Sequence, residues 1–138
     1  MQTSSSIRLL LAALAAAGAA APLAGGAPAG PASRRDTASW CALVIKINTA
    51  AGYMKNKHYG RLTPQIFRAV IAAGQGYGDR LVAAAPPSIK AATQHEVAWL
   101  ARAKANGYNL ATPGGTFTAT DSRKLIAFQH AHCGITGP

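Results

Sequence analysis

Residues 38–57 read ASWCALVIKINTAAGYMKNK, and this stretch predicts the first helix of an all-α fold. Its apolar side chains recur at spacings of three and four residues, as on one face of a helix: Trp40, Val44, Ile47, Ala51 and Met54. The run LVIKI would also suit the start of a strand, but no second strand-like run is present to pair with it. We therefore expect helix throughout residues 38–57.

The second predicted helix contains a cluster of three glycines. It starts at Thr63 and Pro64, an N-cap followed by proline in the first helical position, and its apolar stripe continues to Ala84. The stretch GQGYG at 74–78 interrupts it, and each mid-helix glycine costs about 0.5–1 kcal/mol relative to alanine. Either the glycines allow close helix contact, or they break the helix and open a small pocket. A phosphate loop is not expected, because no strand precedes them.

Two further helices complete the expected fold. The third follows Pro87 and ends at Gly107, and the fourth starts around residues 120–121 and ends at Gly134. The longest loop, 108–118, lies between them. Four amphipathic helices with mostly short connections predict an up-down-up-down four-helix bundle.

We expect one disulfide, Cys41–Cys133, to close the bundle. The chain has two cysteines, and an even number in an exported protein favours pairing. In the predicted topology the start of the first helix and the end of the fourth lie at the same end, so the bridge is possible. Closing a loop of about 90 residues would contribute on the order of 4–5 kcal/mol.

The N-terminal residues indicate export. Arg8 precedes an apolar run, 9–21, which has the length of a signal peptide core and is too short to span a bilayer. Two A-x-A sites are present, one near the end of this run at 17–19 and one after it at 27–29. No cysteine directly follows the run, so a lipid-anchored protein is not expected. A buried alanine-rich helix or a membrane anchor is the alternative.

This pattern gives three expected segments. Residues 1–29 would be a cleavable signal peptide and the start of an Ala/Pro/Gly spacer, and 30–37 a disordered spacer. Residues 38–138 would form a single helical domain, which is long enough for one core. The product would be secreted, extracellular or associated with the cell envelope.

The positive charge points to anionic partners. Fourteen lysines and arginines face four acidic residues, a formal net charge of +10. Outside a cell such a protein meets phospholipid headgroups, wall polymers, DNA and acidic proteins, and charge alone does not choose among them. We expect an anionic envelope component or an acidic protein, with no specific nucleic acid, no cofactor and no transmembrane span. The sequence does not set the oligomeric state.

Seven side chains are candidates for binding that partner: Lys55, Lys57, His58, Arg61, Lys104, Arg123 and Lys124. The bundle topology predicts that they gather at the end opposite the disulfide. A solvated surface with cations at helix C-termini would by itself explain Lys55, Lys57 and Lys104. It does not explain Arg123 and Lys124, which fall in a first turn, where the helix dipole disfavours cations.

The C-terminal stretch HAHC, 130–133, resembles the corner of a metal site. Successive residues of an α-helix turn by about 100°, so His130 and His132 would point some 160° apart. A zinc site also needs a thiolate and usually four ligands, whereas a disulfide would use Cys133. We therefore expect no metal here, and we expect His132 to be partly packed.

Glu96, the only glutamate, falls in the middle of the third helix's apolar face. A buried carboxylate needs a partner, which another helix would supply: Asn48, Tyr77, His132 or a basic residue. One interpretation is a structural hydrogen bond between helices. The other is a ligand pocket formed by Asn48, Tyr77 and Glu96.

No residue stands out as catalytic. The chain has no nucleophile elbow, P-loop, HExxH or paired carboxylates, so we do not expect an enzyme. The leading hypothesis is an exported, non-enzymatic helical protein that binds an anionic envelope or extracellular partner through a basic end. The alternative is a carrier of a small apolar or planar ligand such as haem or lipid, which would use Tyr53, His58 and Glu96 and the glycine break at 74–78.

Residues 38–138 also resemble, over most of their length, small secreted proteins of actinobacteria that carry no assigned activity. The marks of the resemblance are WC at 40–41, GYMKNK at 52–57, PPSIK at 86–90 and HCG at 132–134. The resemblance implies export and a Cys41–Cys133 pair. It supplies no catalytic or binding residues.

Overall fold

The computed structural model describes residues 34–111 and 117–137. The expected signal peptide, half of the expected spacer and residues 112–116 of the longest loop lie outside these ranges. Within them the chain forms five α-helices, a small hairpin and a π-helical turn that continues the last helix: α1 (Arg34–Ala50), β1 (Met54–Lys55), β2 (His58–Tyr59), α2 (Pro64–Gly74), α3 (Gly78–Ala84), α4 (Pro87–Ala105), α5 (Ala119–Phe128) and the π turn (Gln129–Cys133).

The first helix ends seven residues earlier than the sequence predicted, and a β-hairpin takes its place. After Ala50 the chain turns at Gly52, whose φ of +76° is easily reached only without a Cβ. Met54 then pairs with Tyr59 in an antiparallel ladder. The prediction that the first helix continues through Lys57 is therefore wrong. The apolar pattern did not separate the two structures, because Met54 is buried in the hairpin just as a helical stripe would bury it.

The hairpin turn consists of Asn56 and Lys57. Both have positive φ, 51° and 60°, as a two-residue type I′ turn requires. Asparagine reaches this region readily, whereas the second position usually holds glycine. The pairing of Lys55 with His58 puts both of these side chains on the exposed face, opposite Met54 and Tyr59.

The expected second helix is two helices. Thr63 caps α2 as predicted: its hydroxyl oxygen accepts a hydrogen bond from the Ile66 amide at 3.1 Å, and Pro64 follows it. The glycine stretch interrupts the helix between Gly74 and Gly78, so of the two alternatives the break is the one that the structure shows. The fold is helical, as predicted, but it has five α-helices in the described ranges instead of four.

The helices close around one core. α1 packs against α2, α3 and the π turn, α3 packs against α4, and α4 packs against α5. The large side chains at the centre are fully buried, and each contributes about 1.5–3 kcal/mol on transfer from water: Trp40, Ile47, Phe67, Ile71, Leu81, Leu100, Leu125 and Ile135.

The predicted disulfide is present. Cys41 lies in the middle of α1 and Cys133 ends the π turn, with their Cα atoms 5.3 Å apart. Gly134 then adopts the left-handed conformation, φ 67°, that ends the helix as expected. The bridge thus fixes the place from which the last residues of the chain start.

These last residues, 134–137, form a tail that docks on the hairpin. Ile135 is fully buried. The Thr136 amide donates to the Lys57 carbonyl at 2.8 Å, and the Tyr59 amide donates to the Thr136 carbonyl at 3.0 Å. β2 therefore lies between β1 and the tail, with Thr136 pairing beside His58 in the parallel sense.

The close approach of the tail predicts that Gly137→Ala is destabilising. A Cβ at Gly137 would lie 2.9 Å from the Tyr59 nitrogen and 3.0 Å from the Tyr59 oxygen, both backbone atoms, and φ is +96°. We expect a loss of about 1–2 kcal/mol in the free energy of unfolding, measured by urea denaturation.

Gly60→Ala is the matched control. A Cβ there would meet only the Tyr53 carbonyl oxygen at 3.6 Å, an ordinary contact. It should change stability by less than about 0.5 kcal/mol. Equal effects of the two substitutions would show that the tail does not approach Tyr59 as closely as described.

Candidate functional site

The candidate site is the basic hairpin, residues 54–61. Lys55, Asn56, Lys57 and His58 are consecutive and all exposed, and exposed Arg61 follows. The opposite face is apolar, because Met54 and Tyr59 are buried in the core. The hairpin therefore presents cationic groups to solvent from a base that the core holds in place.

The tail orients two of these residues. His58 Nδ1 lies 2.9 Å from the Thr136 hydroxyl oxygen, within hydrogen-bonding distance. The Lys57 side chain passes over Gly134, and its Cδ and Nζ lie 3.9 Å from where a Cβ of that glycine would be. A cation at the end of a helix is favoured by the exposed carbonyls and the helix dipole there. The Lys57 ammonium group therefore lies near the end of α5 and its π turn, not that of α1.

The bundle topology predicted that the hairpin residues lie at the end opposite the disulfide, but the structure places the hairpin near the disulfide. Thr136 pairs with the hairpin and follows Cys133 by three residues, about 11 Å of chain at most. The prediction assumed helix through Lys57 and placed the disulfide at one end of the first helix. Both assumptions fail, since α1 ends at Ala50 and Cys41 lies at its middle.

The other predicted basic residues are carried by different elements. Lys104 lies in the last turn of α4, and Arg123 and Lys124 lie in the first half of α5; all three are exposed. Arg123 donates from Nη2 to the Thr120 hydroxyl at 3.3 Å. Lys124 precedes Cys133 by nine residues, about 14 Å along a helix axis. The structure therefore groups Lys55, Lys57, His58 and Arg61, and it places the other three on α4 and α5.

The surface charge is more positive than the composition suggests. Every lysine and arginine whose side chain is described is exposed, apart from the half-buried Lys90. One of the four acids, Glu96, is fully buried, and Asp121 is half-buried in a pair with His95. Few carboxylates therefore remain on the surface to neutralise the cations.

Glu96 lies in a buried polar region beneath the hairpin. It is 0 % exposed, as its position on the helix face predicted, and it is close to the Tyr59 phenol. Burial raises the pKa of Tyr59 well above its ordinary value, and the charges of Glu96 and Tyr53 raise it further. Gln129 lies beside the phenol and opposes this rise, but the Tyr59 hydroxyl finds no partner in good hydrogen-bonding geometry among the described residues.

The other residues expected around Glu96 have different surroundings. Asn48 is fully buried and donates from Nδ2 to the Val44 carbonyl at 2.9 Å. Tyr77 is half-buried, with Lys46 and Arg80 against its ring. His132 is exposed, although its ring lies 4.5 Å from that of Phe128, so it packs against one aromatic ring and is not buried.

The HAHC stretch forms the π turn and not regular α-helix. The 100° angle assumed for its histidines therefore does not apply, although both are exposed. Cys133 is bonded to Cys41. Across the described ranges, no three His, Cys, Asp or Glu side chains converge in a way that would hold a metal ion.

A histidine–aspartate pair between α4 and α5 was not foreseen. His95 Nδ1 lies 2.9 Å from Asp121 Oδ2. The same carboxylate accepts from the Thr118 amide in a capping box at the start of α5. Burial alone would raise the pKa of Asp121, but hydrogen bonds from His95 and Thr118 lower it. The only sequence signal was the pattern Thr-x-x-Asp at 118–121; nothing indicated its partner 26 residues earlier.

Comparisons with known proteins do not point to a function. The chain matches no family model, no curated protein and no solved structure. The resemblance to small secreted actinobacterial proteins stays a prediction. Among the helices that the structure describes, none is long and apolar enough to cross a membrane.

The surroundings of Tyr59 predict that Tyr59→Phe does not destabilise the protein. Removing a buried hydroxyl without a well-placed partner should leave the free energy of unfolding unchanged or raise it by up to about 1 kcal/mol at pH 7. Above pH 10 the unfolded chain releases the Tyr59 proton while the folded chain keeps it. Above pH 10, Tyr59 therefore lowers the free energy of unfolding of the wild type by about 1.4 kcal/mol per pH unit. The variant lacks this group, so its free energy of unfolding should fall less.

Urea denaturation at pH 7 and pH 10.5 measures this difference. Tyr108→Phe is the control, because Tyr108 is half-buried with Arg68 against its ring and is not among the fully buried tyrosines. It should keep the wild-type loss at alkaline pH. If Tyr59→Phe loses as much free energy of unfolding between pH 7 and pH 10.5 as the wild type does, the raised pKa of Tyr59 is contradicted.

Proposed function

We propose that the chain is an exported, non-enzymatic helical protein that binds an anionic component of the cell envelope through its basic hairpin. The observation that carries the proposal is a turn with exposed cations that is hydrogen-bonded to the tail. Lys55 and Lys57 are exposed, His58 beside them is exposed too, and no acid lies between residues 37 and 78. Such a concentration of like charge attracts anionic surfaces over about a Debye length, roughly 10 Å at 0.1 M salt.

The conformation of Lys57 supports a binding role for the turn. Its φ of 60° is unusual for a residue other than glycine, asparagine or aspartate, and such positions cost on the order of 1–3 kcal/mol. Glycine would satisfy the turn with less strain. Strained residues of this kind cluster at functional sites. The presence of a lysine at a strained position that glycine would suit better therefore supports a role for its charge in binding.

The proposed location rests on separate observations. A disulfide persists in oxidising compartments, and the one between Cys41 and Cys133 ties the two ends of the described chain together. The N-terminal pattern adds the prediction of a signal peptide. An anionic surface outside the cytosol is therefore the partner that best fits both charge and compartment.

The alternative of a ligand carrier has less support. It relied on Tyr53, His58 and Glu96 and on the glycine break at 74–78. Tyr53 and Glu96 are buried in the core, whereas His58 is exposed and lies against Thr136. One small ligand would have to reach both the interior and the surface.

Binding to vesicles tests the proposal. The variant Lys55→Ala/Lys57→Gly removes two cations, and glycine suits the turn. Each lysine near an anionic surface contributes about 1 kcal/mol, so affinity for phosphatidylglycerol vesicles should fall about 30-fold. Co-sedimentation at 50 and 200 mM salt measures this, and wild-type binding should weaken with salt.

The matched control is Lys90→Ala/Arg102→Ala, which removes two charges from α4 and leaves the hairpin intact. Its affinity should fall less than about threefold, as expected when charges lie off the contact surface. An equal fall in both double variants would mean that overall charge drives binding. No salt-sensitive binding of wild type would contradict the proposal as a whole.

A further inference from the structure

A tyrosine at the break between α2 and α3 is flanked by cations from two helices. Lys46 Nζ, from α1, lies 5.1 Å from the centre of the Tyr77 ring, and Arg80 Cζ, from α3, lies 5.5 Å from it. Lys46 and Arg80 are exposed and Tyr77 is half-buried, so the group is open to solvent. We propose that Lys46, Tyr77 and Arg80 form a second anion site, which binds a phosphate group.

The glycine stretch builds this site. Gly74 and Gly78 are buried where α2 ends and α3 begins, and both helices pack against α1. The three-residue connection between the helices ends in Tyr77, which immediately precedes α3. A continuous helix through 74–78 would not need glycine at these positions. The break therefore brings Tyr77 and Arg80 to the part of α1 that carries Lys46.

The charge of this group is not neutralised by the protein. In the part of the chain that the structure describes, neither Lys46 nor Arg80 forms an ion pair with a carboxylate. Asp79 is exposed beside Arg80 but pairs with neither cation. A hydrogen bond and the charge of Lys46, with a smaller contribution from Arg80, lower the pKa of Tyr77 against the effect of burial. The positive potential at the phenol is thus available to an external anion.

A phosphate group matches these donors in number and kind. Its oxygens can accept hydrogen bonds from an ammonium group, a guanidinium group and a phenol. Arginine binds phosphate in a two-pronged geometry, and such charge-assisted hydrogen bonds are the stronger ones. The site uses α1 and α3 and none of the hairpin residues, so it does not depend on the function proposed for the hairpin.

Titration of Tyr77 with inorganic phosphate tests the site. Bound phosphate disfavours the phenolate, so it should raise the pKa of Tyr77, followed by tyrosinate absorbance at constant ionic strength with chloride as the reference anion. Tyr77→Phe identifies the transition by removing it. At pH 7, calorimetry should show phosphate affinity at least tenfold weaker for Lys46→Ala and for Arg80→Ala, and unchanged for Lys90→Ala.

Two results would overturn the proposal. One is a Tyr77 titration that responds to phosphate no more than to chloride. The other is an equal loss of phosphate affinity in Lys90→Ala and Arg80→Ala, which would indicate binding by overall charge. Lys55→Ala/Lys57→Gly should bind phosphate as wild type does, so failure of the hairpin proposal and failure of this one are distinguishable.

A second arm identifies the source of the phosphate group. If it belongs to a phospholipid headgroup, Arg80→Ala should weaken binding to phosphatidylglycerol vesicles as much as it weakens phosphate binding. If it belongs to a soluble phosphate ester, Arg80→Ala should leave vesicle binding unchanged. If calorimetry shows that phosphate binding depends on Lys46 and Arg80, either vesicle result supports the site and identifies the source of the phosphate group.

Discussion

The disulfide between Cys41 and Cys133 is the constraint on which the position of the hairpin depends. It joins the middle of α1 to the end of the π turn, so the tail that follows must start beside α1. From there Ile135 enters the core, and the Thr136 backbone hydrogen-bonds to Lys57 in the turn and to Tyr59 in β2. An isolated two-stranded hairpin is at best marginally stable in water, and the tail supplies the third partner that it lacks.

The buried side of the hairpin lies next to a polar region of the core. The Tyr53 and Tyr59 rings are in tilted contact, with centres 4.8 Å apart, and Glu96 close to the Tyr59 phenol is fully buried. Burying polar groups is costly unless they interact, and this region contains Glu96, Tyr59 and Gln129 together. The polar region therefore lies beneath the hairpin, while the disulfide positions the tail that pairs with it. The cations lie on the exposed side of the hairpin.

Local signals in the sequence were sufficient for part of this structure. The cap at Thr63, the burial of Glu96 and the Cys41–Cys133 pair follow from side-chain chemistry within a few residues or from cysteine count. The glycines at 74–78 left open whether the helix continues or breaks. The hairpin was missed because an apolar stripe ending at Met54 suits a helix and a short strand alike. Its true pairing depends on Thr136, about 80 residues later, and the His95–Asp121 pair likewise joins distant segments. Neither contact leaves a periodic pattern.

Amide hydrogen exchange of the Cys41→Ser/Cys133→Ser variant tests the central claim most directly. If the disulfide positions the tail and the tail holds the hairpin, the Tyr59 and Thr136 amides should lose most of their protection, because their acceptors lie across that contact. Amides in the middle of α4, such as that of Leu100, should stay protected. Unchanged protection at Tyr59 and Thr136, or an equal loss at Leu100, would contradict the account.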